Sequence, residues 1–79
     1  IWRASFYAGG QFLRVPVWGG YAKLIEILID QSVDYLILAP EDQFKVHELI
    51  QMGWLREIQN TPDRKGNLWR TYIVELKDP

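Results

Sequence analysis

The sequence contains no cysteine and only one histidine, His47. Disulfides, thiolate metal sites and cysteine nucleophiles are thereby excluded, and a lone histidine cannot build a multi-histidine metal centre. Neither sign of charge is in excess: nine Lys and Arg stand against ten Asp and Glu, for a net charge of -1. A general nucleic-acid binder shows a basic excess or stripe, so this balance argues against one while leaving room for a local basic patch. No apolar run reaches the roughly 20 residues of a membrane-spanning helix, and no secretory leader is visible. The sequence opens on Ile1, not Met, which leads us to expect a longer parent protein.

What the sequence does have is apolar and aromatic bulk. Of its 79 residues 48% are hydrophobic, among them four Trp, four Tyr and three Phe, enough for a folded core and for one small domain spanning residues 1–79. A domain of this length buries a smaller share of its surface than a larger one, so its stability margin is thin.

The pattern along the chain predicts alternating strands and helices. Gln11 to Val17 (QFLRVPV) reads as a short strand that Pro16 pushes to an edge or an end. Tyr21 to Asp30 (YAKLIEILID) reads as a helix with Lys23, Glu26 and Asp30 on one polar stripe, apolar enough elsewhere to pack on more than one side. The apolar run Val33 to Ala39 (VDYLILA) suggests a strand buried on both faces, as in a parallel sheet. Pro40, Glu41 and Asp42 then suit a helix start, Val46, Leu49, Ile50 and Gly53 share one face, and Gly53 suits the stop. Glu41 and Lys45 are spaced to pair on the wet side. Trp54 to Asn60 and Leu68 to Leu76 read as a hairpin around the turn formers of Thr61 to Asn67, and Lys77 to Pro79 as a frayed tail. Strand-helix-strand units with short loops imply a parallel pair. The expected fold class is therefore α/β: a small mixed sheet of four to five strands in two or three layers, with two main helices, a parallel core pair and a C-terminal antiparallel hairpin.

Two glycine pairs invite a phosphate-binding reading. Gly9-Gly10 in SFYAGGQF has neither the G-x-G-x-x-G nor the G-x-x-x-x-G-K-[ST] spacing, and a strand follows it instead of a helix. Gly19-Gly20 does precede a helix but has no Ser, Thr, Lys or Arg in its loop. Both pairs are read as turns. Around the first, Trp2 to Ala8 fits either a strand entering a hairpin, by alternation, or a short helix in which Trp2 and Phe6 are neighbours and Gly9 the cap.

The inventory for catalysis is thin. His47 has no second histidine and no nucleophile pattern beside it, and reads as a helix-boundary residue. Glu41 and Asp42 are adjacent at a helix start, where the dipole explains them better than acid-base chemistry, which needs two carboxyls facing one substrate. Asp34 reads as a loop or edge residue, and Glu57 and Glu75 as cross-strand partners of Arg56 or Arg70. No catalytic residue, cofactor or metal site is expected. The candidate interface residues are Trp18, Tyr21 and Trp69, with Trp54, as an aromatic patch competing with core packing, and Arg64 and Lys65 at a charged loop tip competing with plain solvation.

The combination of Phe6-Tyr7-Ala8-Gly9-Gly10, Val15-Pro16, Val33-Asp34-Tyr35-Leu36 and Tyr72-Ile73-Val74-Glu75-Leu76 resembles the soluble C-terminal domain of polytopic membrane glycosyltransferases of the protein O-mannosyltransferase and aminoarabinose transferase type. The resemblance implies a domain that follows the last membrane helix on the extracytoplasmic side, periplasmic or extracellular. It implies a parent that uses polyprenyl-phosphate sugars, with its catalytic acid outside this chain. It also favours the short-helix alternative for Trp2 to Ala8. The resulting expectation is a non-catalytic accessory domain that supports the membrane part or docks the acceptor; its partners would be that membrane part and lipid headgroups or acceptor, with no nucleic acid. The competing expectation is a winged-helix nucleic-acid module, with Val46 to Leu55 as recognition helix and Asp63 to Asn67 as wing. A third is a small-molecule sensor with its ligand near Ala39-Pro40, at the end of parallel strands.

Overall fold

A computed structural model describes residues 2–75. In chain order they form β1 (Ala4–Ala8), β2 (Gln11–Leu13), α1 (Tyr21–Asp30), β3 (Tyr35–Leu38), a 3₁₀ helix (Pro40–Val46) running into α2 (His47–Gln51), β4 (Leu55–Pro62) and β5 (Leu68–Val74). The expected last strand to Leu76 stops at Val74, with Glu75 already outside it, and the expected frayed tail lies outside the described residues.

The strands make one sheet in the order β2-β1-β3-β5-β4. Every neighbouring pair is antiparallel, which overturns the expected parallel core pair and mixed sheet. The reason is geometric. Both β2 and β3 run antiparallel to β1, so α1 does join strands of like direction, but β1 lies between them. In the same way β5 lies between β3 and β4. Each crossover spans a strand contributed by an adjoining hairpin, and nothing in the strand-helix-strand spacing distinguishes that arrangement from direct pairing. Without a parallel pair there is no switch point at Ala39-Pro40 for the sensor reading.

Trp2 to Ala8 adopts the strand alternative, not the short helix. Gly9 and Gly10 both have positive φ, 58° and 84°, and connect the paired residues Ala8 and Gln11. Two consecutive positive φ values are what a two-residue hairpin of right-twisted strands demands. A Cβ at either glycine would meet nothing within 4 Å, so the requirement is one of backbone, not of space. Asp34 reinforces the turn by accepting a hydrogen bond from the Gly9 N–H at 3.2 Å. The strand read over 11–17 stops at Leu13, and Val15 to Val17 instead run beside the chain start, where the Trp2 N–H donates to the Val17 carbonyl at 3.0 Å.

One face of the sheet carries Phe6, Leu36, Leu38, Tyr72 and Leu55, packed against Leu24 and Leu28 of α1 and against Val46 and Leu49 of the second helical segment. The fold is thus two-layered. α1 has the expected bounds but packs on one side, with Leu24 and Leu28 buried and Ile29 exposed. Val33 to Ala39 is likewise not buried on both faces: Leu36 and Leu38 point into the core, while Tyr35 is exposed and Ile37 half-buried.

Both helical segments end in the same way. In α2 the Trp54 N–H reaches back to the Leu49 carbonyl and the Gly53 N–H to the Ile50 carbonyl, both at 3.0 Å, with Gly53 at φ 79° as its sequence position suggested. In α1 Val33 bonds to Leu28 and Ser32 to Ile29 in the matching pattern, but the left-handed position is filled by Ser32 at φ 49°. These paired bonds satisfy terminal carbonyls and turn the chain directly into the next strand. The pairing of Arg56 with Glu75 at 2.8 Å and of Arg70 with Glu57 at 3.0 Å follows the cross-strand expectation.

A left-handed conformation strains any side chain with a Cβ. Ser32→Gly is therefore expected to stabilise the domain by about 0.5 kcal/mol, the strain relieved less the added freedom of the unfolded chain, measured as a higher urea midpoint. Tyr72 offers a second test. Its ring is buried and its hydroxyl has no hydrogen-bond partner among the described residues. Burial pushes the phenol pKa upward against the opposing influence of Arg70. Because no hydrogen bond is lost, Tyr72→Phe is expected to leave stability equal or raised by up to about 1 kcal/mol; a clear loss in chemical denaturation would contradict that.

Candidate functional site

With both helical segments on one side, no helix of the described residues covers the other face of the sheet. Alternation along β1 sends Arg3, Ser5 and Tyr7 to that face, and the register aligns the rest. Tyr7 stands opposite Phe12 and Tyr35, and Tyr35 opposite Ile73. The next row holds Ser5, Ile37 and Thr71. Tyr7 and Phe12 meet edge to face with ring centroids 5.1 Å apart, and Tyr7 lies 5.8 Å from Tyr35. Phe12 is 69% exposed and Tyr35 36%, values that set them apart from the fully buried Phe6 on the opposite face. These side chains line a shallow apolar hollow of about 280 Å³. Sequence reasoning did not single out Tyr7, Phe12 or Ile37. The signal available was the period-two alternation of β1, which separates Tyr7 from Phe6.

At the other end of the same face the character changes from apolar to cationic. Trp69 of β5 is half-buried, and its indole N–H donates to Asp63 at 3.2 Å. The Arg3 guanidinium lies 5.5 Å from the Trp69 ring centroid. Trp69 and Arg3 together line two clefts. One, of about 430 Å³, also takes in Ser5 and Arg14; the other, of about 360 Å³, takes in Arg64, Lys65 and Asn67. Three candidates from the sequence, Arg64, Lys65 and Trp69, therefore meet at one cleft. Arg3 joins them there and Arg14 lines the neighbouring cleft, each from 50 or more positions away in the chain, which no local pattern reveals.

The loop bearing Arg64 and Lys65 is shaped by Asp63. One carboxylate oxygen accepts the Lys65 and Asn67 backbone N–H groups at 2.8 and 2.9 Å, and the other faces the Trp69 indole. Gly66 takes φ 82° in the turn. Desolvation tends to raise the Asp63 pKa, but the bonds from Trp69, Asn67 and Lys65 outweigh it and hold the group below the ordinary carboxylate value. The tip is a turn held by the Asp63 carboxylate.

Trp18 and Tyr21 sit elsewhere. Trp18, 67% exposed, lines a cleft of about 280 Å³ against the Lys23, Glu26 and Asp30 side of α1, and Tyr21 is exposed at the first turn of that helix. Trp54 is half-buried against the core. His47 is exposed at the start of α2 and makes no side-chain hydrogen bond among the described residues. Among those residues there is also no cluster of three metal-ligating side chains, and no helix long and apolar enough to cross a membrane.

The placement of Arg3 depends on a buried carboxylate. Asp42 is 2% exposed and accepts the Arg3 backbone N–H at 2.7 Å and the Lys45 ammonium at 2.6 Å. Its neighbour Glu41 pairs with the Arg3 guanidinium at 2.7 Å. The expected Glu41–Lys45 pair is thus replaced by Asp42–Lys45. The cause is the 3₁₀ winding of Pro40–Val46, which brings residues three apart into line and leaves those four apart rotated away.

Compared with protein-family models, with curated proteins and with solved structures, the chain matches none.

Burial raises the Asp42 pKa, but the Lys45 and Arg3 hydrogen bonds and the Lys45 charge prevail and lower it from 3.8. A carboxyl with a depressed folded pKa contributes stability that is complete above its unfolded value and is lost as pH falls through the folded one. Asp42→Asn is expected to cost about 2 kcal/mol at neutral pH. The gap from wild type in urea titrations should shrink as pH drops below 3.8; a gap independent of pH would show that the charge is immaterial.

Proposed function

We propose that this chain is a non-catalytic accessory domain of a membrane-bound glycosyltransferase that uses polyprenyl-phosphate sugars. It sits on the extracytoplasmic side and docks on the membrane part of its own parent chain. The observation that carries the docking role is the open sheet face, where Tyr7, Phe12, Tyr35 and Ile37 form an apolar patch that no layer of the described residues covers. Water-exposed aromatic patches of this kind are disfavoured on a free-standing domain and mark surfaces that meet a partner. The residue pattern quoted above motivates the glycosyltransferase parent. It is joined by a site whose side chains suit binding, not bond-making: aromatic rings, arginines and a lysine.

The winged-helix alternative loses its support. It needs a helix over Val33 to Ala39, and that stretch is the central strand β3. Its proposed recognition helix is reduced to the five residues of α2, with Glu48 in the first turn.

The test is carried out on the parent. Its coding sequence upstream of Ile1 is expected to encode several apolar segments of about 20 residues. In that full-length protein, Phe12→Ser combined with Tyr35→Ser is expected to lower sugar transfer at least tenfold while the melting temperature of the isolated domain stays the same or rises. An upstream region without such segments, or a double variant with unchanged transfer, overturns the reading.

A further inference from the structure

The ladder between β1 and β2 is paired from Ala8–Gln11 to Phe6–Leu13 and stops there. The two chains meet again where the Trp2 N–H donates to the Val17 carbonyl at 3.0 Å, in the register that Phe6–Leu13 continues. Between these contacts Ala4 and Ser5 face Arg14 to Pro16 with no backbone bond among the described residues, and a cleft of about 430 Å³ opens there. Arg3 turns its N–H to Asp42 and its carbonyl to the Ala39 N–H, on the β3 side. Backbone groups alternate along an antiparallel strand, so the Ala4 N–H and carbonyl turn the other way, to the cleft. Ser5 and Arg14 line the same cleft, and Arg14 has no acidic partner among the described residues. Arg3 is already engaged, by Glu41 at 2.7 Å and against the Trp69 ring at 5.5 Å. Asp63 lines the neighbouring cleft together with Arg64 and Lys65, not this one. With Arg3 neutralised by Glu41, the charge left over here is a single positive one, on Arg14.

The structure assigns this cleft to a single carboxylate joined to an apolar group, as at the C-terminus of a peptide that ends in an apolar residue. Charge decides between anions. One carboxylate neutralises one guanidinium, whereas a phosphate monoester at about -1.5 to -2 leaves negative charge unmatched. The planar fork of Arg14 suits two carboxylate oxygens at once, and the lone pairs that remain are within the province of the Ser5 hydroxyl and the Ala4 N–H. An exposed ion pair by itself contributes little, so the backbone donor and the apolar contact supply the discrimination. That contact falls to Val15 and Pro16, because Arg3 already occupies the Trp69 ring. The segment from Leu13 to Val17 is bonded to β1 at both ends, so no strand threads between the two chains. The ligand therefore enters from the open face and stops on the donors, by a chain end or as a free small acid of the same chemistry. The inference rests on this cleft alone and stands whether or not the sheet face docks a membrane part.

The test follows the backbone N–H signals of Ala4 and Ser5 in the 79-residue chain by NMR at low salt. The probes are the peptide N-acetyl-Ala-Ala-Leu as its free acid, the same peptide as its C-terminal amide, N-acetylleucine, acetate and inorganic phosphate. The expected result is a saturable shift with the peptide acid, at least fivefold tighter than with its amide, with acetate or with phosphate. Arg14→Gln should weaken that binding at least fivefold without changing the melting temperature. Arg64→Gln with Lys65→Gln, which removes charge from the neighbouring cleft, should weaken it less than twofold. Tighter binding of the peptide acid than of N-acetylleucine assigns the site to a chain end, and equal binding of the two assigns it to a free small acid. Equal binding of acid and amide overturns the inference, as do phosphate binding more tightly than the peptide acid and silence with every probe. An equal loss from the Arg64 and Lys65 variant also overturns it, by reducing it to bulk electrostatics.

Discussion

The carboxylate of Asp42 holds together parts of the chain that the sheet alone does not join. It is buried, 2% exposed, and a buried charge persists only where donors surround it. Here those donors are the Arg3 backbone at the start of β1 and the Lys45 ammonium one 3₁₀ turn along. Lys45 in turn lies 5.1 Å from the centroid of the buried Trp2 ring, whose indole N–H donates to the Gly19 carbonyl at 2.7 Å. One buried charge therefore sets the position of the first strand, of the 3₁₀ helix and of the segment leading into α1. Through Arg3 it also sets where a guanidinium stands over Trp69.

From that anchor the two ends of the open face acquire different chemistry. Toward the Gly9-Gly10 turn the rows of the sheet end in aromatic rings; toward Trp69 they end in cations. Two-layer sheets commonly bury one face and present the other to water as polar side chains. Here that second face is instead apolar over its centre and charged at one margin. A surface so divided orients whatever meets it, because only one placement puts apolar matter over Tyr7 and Tyr35 and negative charge beside Arg64 and Lys65.

Much of the fold was legible because local signals agreed. The bounds of α1, the turn at Gly9-Gly10, the stop at Gly53 and the Arg56–Glu75 and Arg70–Glu57 pairs all follow from periodicity, backbone freedom or cross-strand spacing. The strand order was not legible, since no local feature says which strand lies between two ends of a crossover. The reading of Val33 to Ala39 as doubly buried failed for an instructive reason. Tyr35 and Ile37 are apolar although no protein layer covers them, so the run looks like the interior of a parallel sheet. The error came from the very residues that make the open face unusual. For the cationic end, the loop pair and Trp69 stood out by composition, whereas Arg3 and Arg14 are ordinary strand-margin residues until the sheet is assembled.

The irregularity in β4 has a consequence for the company this domain can keep. β4 is an edge strand of eight residues, with its outer backbone groups free to pair with another chain. Its register against β5 slips between Glu57 and Gln59, and Pro62 ends it without a donor. A bulge of this kind bends its strand and sharpens the local twist, so an incoming strand finds no straight ladder along the whole of β4. Edge-to-edge growth through β4 is thereby disfavoured.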